Sequence, residues 1–102
     1  QISPPTLPPE KWLKFEASEV SQVPETEGVV HLLDEEKSIL YIKGAINLRK
    51  ELEEQLIEND KARYFLYEEE PMYTKRESEL IQQFLQQHGQ LPPQNLDLED
   101  LF

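Results

Sequence analysis

Few side chains in this 102-residue sequence are placed for chemistry. Tyr41 stands in an apolar segment and Glu77 stands near the start of a helical segment, so a phenol and a carboxylate are the candidate reactive groups. His31 and His88 have no partner at a spacing typical of a nucleophile or a metal site, and the chain contains no cysteine. Cysteine nucleophiles, thiolate metal sites and disulfides are therefore excluded for this chain.

Both candidate groups also have a structural interpretation. Tyr41 is expected to be a packed aromatic residue with a hydrogen-bonded hydroxyl. Thr74 and Glu77 have the spacing of a capping box, in which the glutamate accepts a hydrogen bond from an amide at the start of the helix. A single carboxylate rarely holds Mg²⁺ without substrate phosphates, so we expect no metal and no other cofactor.

Periodicity predicts the strands that must position these groups. Residues 28–33 (GVVHLL) and 38–43 (SILYIK) are apolar runs joined by the turn-like residues 34–37, which predicts a hairpin. Both runs are apolar on both faces, so layers should cover each side of the sheet. Gly44 is expected to end the second strand, and residues 63–68 (RYFLYE) to form a third.

Two helices are predicted between and after these strands. From Ala45 the apolar spacing becomes helical, with the side chains of Leu48, Leu52 and Leu56 on one stripe. Residues 74–88 predict a second helix, which Gly89 should end. Its expected buried stripe consists of Leu80, Ile81, Phe84 and Leu85.

The predicted organisation is one folded domain between two tails. Residues 1–22 are expected to be a proline-rich leader with a short turn of helix around residues 12–17, residues 23–89 the domain, and residues 90–102 an acidic and apolar tail. The tail ends in NLDLEDLF. Apolar side chains in a tail without a core of its own are expected to dock on this domain or on another protein. They are Leu96, Leu98, Leu101 and Phe102.

The formal charge of −11, from 21 acidic and 10 basic residues, sets the expected class of partner. A negative surface repels phosphate backbones and attracts cationic proteins, so nucleic acid is not the expected partner. No apolar run is long enough to span a bilayer, and the start lacks a basic-then-apolar signal pattern. We therefore expect a cytoplasmic protein that binds no membrane.

Three separated blocks of the sequence resemble the GIY-YIG nuclease domain, most closely the form found in the bacterial excision-repair incision nucleases. The first block is Pro24 with the GVV of residues 28–30, the second is the LYIKGAINLR of residues 40–49, and the third is the ESELIQQF of residues 77–84. The resemblance spans residues 23–89. The expected fold is therefore α+β, a small GIY-YIG-like domain with a three-stranded sheet flanked by helices (β-β-α-β-α) and extended N- and C-terminal tails.

The resemblance implies four functional positions, namely two tyrosines, an arginine on the first helix and a glutamate on the second. In that family the glutamate holds a divalent metal, the metal and the arginine stabilise charge on the phosphate, and a tyrosine helps to activate water. In this chain these positions are taken, in order, by Val30, Tyr41, Glu51 and Glu77. Val30 has no hydroxyl and Glu51 reverses a charge, so we expect the fold without cleavage activity.

The favoured hypothesis is a non-catalytic GIY-YIG-like interaction or accessory subunit. It would bind a protein partner that has a basic or apolar groove through its tails and its acidic surface, with the four apolar residues of the C-terminal tail as the partner-binding residues. The alternative is a divergent Mg²⁺-dependent DNA nuclease or DNA-repair protein that uses Arg49 or Lys43 in place of the missing arginine. A third possibility, a nucleic-acid mimic or nuclease inhibitor, would display its carboxylates in ordered rows, whereas this sequence has clusters at residues 51–54 and 68–70.

Overall fold

The computed structural model describes residues 12–95 of the chain. The elements in that range are β1 (Leu13–Lys14), α1 (Ala17–Val20), β2 (Gly28–Leu33), β3 (Ile39–Ala45), α2 (Leu48–Glu58), β4 (Tyr64–Glu69) and α3 (Tyr73–His88). The four strands form one antiparallel sheet in the order β1-β4-β2-β3. The predicted α+β class is confirmed, and the sheet has one more strand than the three that periodicity predicted.

Strand β2 is an inner strand of the sheet, and both α2 and α3 pack on it. All six of its residues are buried, as the apolar run on both faces predicts. Val30 and Leu32 belong to the core cluster with Leu48 and Leu52 of α2, while α3 contacts the sheet through β2 and β3. Strand β3 lies at the edge of the sheet, so several of its side chains are only half-buried.

Helix α2 begins later than predicted. Gly44 and Ala45 remain in β3, where they pair with Val29 and Gly28, so Gly44 does not end the strand. Asn47 caps the helix instead, because its side-chain oxygen accepts a hydrogen bond from the Lys50 amide at 3.0 Å. The cap turns the chain so that Leu48 and Leu52 are fully buried, and each contributes about 1.5–3 kcal/mol by that burial.

Helix α3 ends as predicted and begins differently. Gly89 adopts the left-handed conformation at φ 76°, which glycine accepts without strain. The capping box of Thr74 and Glu77 is wrong, because Met72 occupies the N-cap position without a side-chain cap and Thr74 lies inside the helix. Among the described residues of α3 none is fully buried, so its apolar stripe is only half-buried and Leu85 is 36% exposed.

The segment before the hairpin also differs from the prediction. Leu13 and Lys14 form β1 by pairing with Phe65 and Tyr64, and the short helix follows later, in α1. Val20, at the end of α1, is 1% exposed and belongs to the core. In the part of the chain that the structure describes, no helix has the length and apolar character to cross a membrane.

Candidate functional site

The outer edge of β3 is the place where α2, α3 and the segment after α3 meet. Among residues 12–95, β3 pairs with a strand on one side only, so alternate backbone groups on its other side need partners from elsewhere. The Asn95 side chain supplies two of them, since Oδ1 accepts from the Ile42 amide at 2.8 Å and Nδ2 donates to the Ile42 carbonyl at 3.0 Å. Two residues further along, the Gly44 amide donates to the carboxylate of Glu77.

Three charged groups converge on this edge. Burial raises the pKa of Glu77 above its ordinary value, the Lys43 ammonium and the Gly44 amide lower it, and the neighbouring Glu51 carboxylate raises it. Glu77 is therefore close enough to both Glu51 and Lys43 to feel their charges. Glu51 and Glu77, two of the four positions that the resemblance implies, are brought together by the fold.

Lys43 and Glu51 lie at a surface hollow of about 420 Å³, named here the β3-edge hollow, and Glu77 is close enough to interact with both of them. The hollow is lined by Lys43, Gly44, Ala45, Ile46, Asn47, Lys50, Glu51, Glu54 and Tyr73. Tyr73 and Lys50 were not identified as site residues from the sequence. No local pattern marks Tyr73, which reaches the hollow only because α3 begins beside β3.

The absence of a side chain at Gly44 allows this close approach. A Cβ atom at Gly44 would lie 2.9 Å from the Tyr73 carbonyl oxygen and 3.3 Å from Oε1 of Glu77. The backbone of α3 and the carboxylate of Glu77 can therefore reach the strand only when glycine occupies this position.

The other two implied positions lie elsewhere. Val30 is 0% exposed, belongs to the core cluster and pairs in register with Lys43. Tyr41 packs against the same core, as its structural interpretation predicts, and lines a separate hollow of about 330 Å³ on the side of Asn59 and Gln94. Gln55 lines that second hollow and donates a hydrogen bond to Glu51 at 3.2 Å. The fold therefore does not bring Tyr41 and Glu77 into one hollow.

Of the two proposed substitutes for the missing arginine, only Lys43 lines the β3-edge hollow. Arg49 is held at the loop before β2, where Nε donates to the Val23 carbonyl at 2.7 Å and the guanidinium forms a 2.8 Å ion pair with Glu25. The charge of Arg49 is therefore directed to that loop and not to the β3-edge hollow.

The residues at this edge do not form a set of metal ligands. Within residues 12–95, no three histidine, aspartate or glutamate side chains lie close enough together to hold a metal ion. The Glu77 carboxylate already receives the Gly44 amide and faces the Lys43 ammonium. A cation bound there would have to displace both neighbours.

Other predicted site residues are accounted for in two ways. In the acidic cluster at the end of β4, Glu68 forms a 2.8 Å ion pair with Arg76 and Glu69 accepts a hydrogen bond from Thr26. The expected partner-binding residues lie outside the described residues and remain a prediction; they are Leu96, Leu98, Leu101 and Phe102.

Comparison with known proteins gives a family and no relative of known activity. The model of a family described as Domain of unknown function (DUF7508) matches residues 7–88. A search of the curated proteins found no match to this chain. The matched residues include every element from β1 to α3, and they stop before the C-terminal tail.

Proposed function

We propose that this chain, which belongs to the DUF7508 family, is a non-catalytic GIY-YIG-like interaction or accessory domain that binds a protein partner. The observation that carries the proposal is that Glu51 lines the β3-edge hollow and its negative charge acts on the neighbouring Glu77 carboxylate. A phosphodiester placed there would meet two carboxylates where the resemblance implies one carboxylate and one arginine.

The size of this effect supports a site that does not cleave phosphodiesters. At an effective dielectric constant of about 20, a unit charge about 5 Å away contributes roughly 3 kcal/mol, and the change from arginine to glutamate reverses its sign. Solvent screening reduces the value, because Glu51 is only half-buried. Even so, loss of one electrostatic contact to the developing charge typically costs about 10² to 10³ in rate.

The proposed contact with the partner is the C-terminal tail. Its four apolar residues alternate with Asp97, Glu99 and Asp100, a composition that suits a groove with apolar walls and a basic rim. The charge of −11 favours a basic protein surface over a nucleic acid as the partner.

Capture of the partner by the full chain tests this proposal. The chain is immobilised and exposed to a lysate of its native host, with and without added nuclease, beside a variant carrying Leu98→Ser, Leu101→Ser and Phe102→Ser. Ile57→Ser is the matched control, since Ile57 is 87% exposed on α2 and far in sequence from the tail. We expect one protein to be retained by the wild type and the control after nuclease treatment, and retained at least about tenfold less by the tail variant. Capture that disappears with nuclease, or that is equal for all three proteins, would contradict the proposal.

A divergent nuclease is the second candidate, and Tyr73 is the observation in its favour. Tyr73 places an aromatic side chain in the same hollow as Lys43, beside Glu77. It is not one of the two tyrosine positions that the GIY-YIG resemblance implies, which hold Val30 and Tyr41. Incubation of the unmodified chain with DNA and Mg²⁺ distinguishes the two candidates. Cleavage that is lost in both Glu77→Ala and Tyr73→Phe would replace the first proposal by the second.

The reverse experiment tests whether the hollow is a decayed nuclease site. Glu51→Arg restores the implied arginine at a half-buried surface position, whereas Val30→Tyr would place a phenol in a site that is 0% exposed. The single change Glu51→Arg is therefore the usable variant. If it gains Mg²⁺-dependent cleavage that the wild type lacks, the hollow is a decayed nuclease site.

A further inference from the structure

A third surface depression, which is mainly apolar, lies beside the C-terminal half of α3 and is named here the Trp12 groove. Its volume is about 380 Å³, within the range of about 300–1,000 Å³ that is typical of ligand pockets. The apolar side chains that line it are Trp12, Leu33, Ile39, Phe84, Leu91 and Pro93.

Aromatic side chains stand on both sides of the Trp12 groove. On the sheet side, the Lys37 ammonium lies 5.0 Å from the Trp12 ring centroid and 4.5 Å from that of Tyr64, which fixes the indole by cation–π contact. On the helix side, Phe84 packs against His88 with their ring centroids 4.2 Å apart and is itself only half-buried. Such walls suit an extended, apolar polypeptide.

The indole nitrogen of Trp12 adds a specific polar requirement. Nε1 is buried and has no hydrogen-bond acceptor among the described residues. A buried donor without an acceptor costs about 1–3 kcal/mol. Because Trp12 lines the groove, an occupant that supplied a carbonyl oxygen to Nε1 would remove this cost.

The segment before Trp12, residues 7–11, offers both apolar side chains and backbone carbonyls. Leu7, Pro8 and Pro9 fall within the family match at residues 7–88 and precede the first described residue. Consecutive prolines favour a polyproline II helix, which uses none of its carbonyls internally and docks on grooves lined by aromatic rings. At about 3.1 Å per residue, residues 7–11 can extend about 15 Å from Trp12, which itself lines the groove.

We propose that Leu7, Pro8 and Pro9 of this same chain occupy the Trp12 groove, and that a backbone carbonyl of the segment accepts the Trp12 Nε1 hydrogen bond. The leader is then an intramolecular ligand of the fold. This inference does not depend on the proposed function, because neither the β3-edge hollow nor the proposed partner-binding residues of the tail (Leu96, Leu98, Leu101 and Phe102) take part in it.

Disulfide trapping tests the proposal directly, since the full chain contains no cysteine. One variant carries Pro8→Cys and Gln87→Cys, where Gln87 is an exposed residue of α3 that lines the groove. The control carries Pro8→Cys and Lys75→Cys, with an exposed position at the opposite end of α3. Under mild oxidation we expect the first pair to form an intrachain disulfide at least about tenfold faster than the control. Equal rates, or a disulfide that joins two chains, would overturn the proposal.

Fluorescence gives a second measurement, because Trp12 is the single tryptophan of the chain. Leu7→Ser with Pro8→Ser and Pro9→Ser removes the proposed ligand. Ile2→Ser with Pro4→Ser and Pro5→Ser makes the same number of changes outside the family match. We expect acrylamide quenching of Trp12 to rise at least about twofold in the first variant and to stay at the wild-type value in the second. Equal quenching in all three proteins would refute occupation of the groove by this segment.

Discussion

Replacing His31 with leucine should change the way in which the stability of the domain depends on pH. His31 lies in β2, is 8% exposed, and has a buried Nδ1 without a hydrogen-bond partner in the part of the chain that the structure describes. Burial lowers the pKa of His31 from 6.5 to about 4; the Glu68 carboxylate raises it and the Arg76 guanidinium lowers it further. Leucine is apolar and has no proton to gain at this position.

The sign and size of the effect follow from proton linkage. In the unfolded chain His31 takes up a proton as the pH falls through 6.5, while in the folded chain it stays neutral until about pH 4. Between these values the unfolded state binds more protons, so acidification removes stability. The pKa of His31 differs by about 2.5 units between the two states, and each unit corresponds to about 1.36 kcal/mol. The contribution of His31 to the pH dependence of the free energy of unfolding is therefore at most about 3 kcal/mol.

Urea unfolding at several pH values between 7 and 4 measures this contribution. The quantity to follow is the difference between the free energies of unfolding of the wild type and of His31→Leu. The acidic residues titrate in both proteins, so their contributions cancel in this difference. We expect this difference to fall by about 3 kcal/mol from pH 7 to pH 4, with most of the loss below pH 6. His88→Gln is the matched control, since His88 is exposed at the end of α3, and it should not reproduce the effect.

A difference that stays constant within about 0.5 kcal/mol across this range would refute the reasoning. It would mean that His31 gains its proton equally well in both states. Water or another acceptor would then have to reach Nδ1 in the folded protein, contrary to its burial in β2.

Three further substitutions test the β3 edge by urea unfolding. Gly44→Ala should cost about 1–3 kcal/mol, because its Cβ would lie 2.9 Å from the Tyr73 carbonyl oxygen. Asn95→Ala should cost about 2 kcal/mol or more, because the Ile42 amide and carbonyl would both lose their partner. Glu77→Gln should stabilise the domain slightly at pH 7, because burial raises the pKa of the wild-type carboxyl, and this gain should vanish as acidification protonates that carboxyl.

Each of these has a control and a contrary result. Gly89→Ala is the control for Gly44→Ala, because a Cβ at Gly89 meets nothing within 4 Å and the cost should reflect only its positive φ, about 1 kcal/mol. Gln94→Ala, a half-buried neighbour, should cost less than Asn95→Ala. A neutral Gly44→Ala, a neutral Asn95→Ala, or a Glu77→Gln gain that grows on acidification would each contradict the described edge.

The sequence could predict the elements whose pattern is local. The six consecutive buried residues of β2 need layers on both faces of the sheet. The apolar run in the sequence predicts this by itself. The end of α3 at Gly89 was predictable because it depends only on the left-handed backbone conformation of this one residue. By contrast, β1 has two residues, and its pairing with β4 depends on a strand about 50 positions away in the chain, so no local signal marks it.

The ends of α2 and α3 show why local signals fail at the site itself. Ala45 fits the apolar spacing of a helix and also pairs with Gly28, and the ladder outweighs the helical period. Glu77 has the spacing of a capping-box residue with Thr74, but its carboxylate is taken by the Gly44 amide of a neighbouring element. In both cases a hydrogen bond to another element competes with a local one. The local sequence pattern contains no information about that other element.

The same competition gives Glu77 a structural role that does not involve catalysis. An edge strand leaves amides that either bind water or attract another strand, and proteins stabilise such edges with side chains. Along β3, Asn95 satisfies Ile42 and Glu77 satisfies Gly44, so two polar side chains complete the edge that no fifth strand covers within the described residues. A glutamate stands at the position where the resemblance to GIY-YIG domains implies a metal ligand, but its contact with the sheet accounts for it, and it does not by itself argue for cleavage.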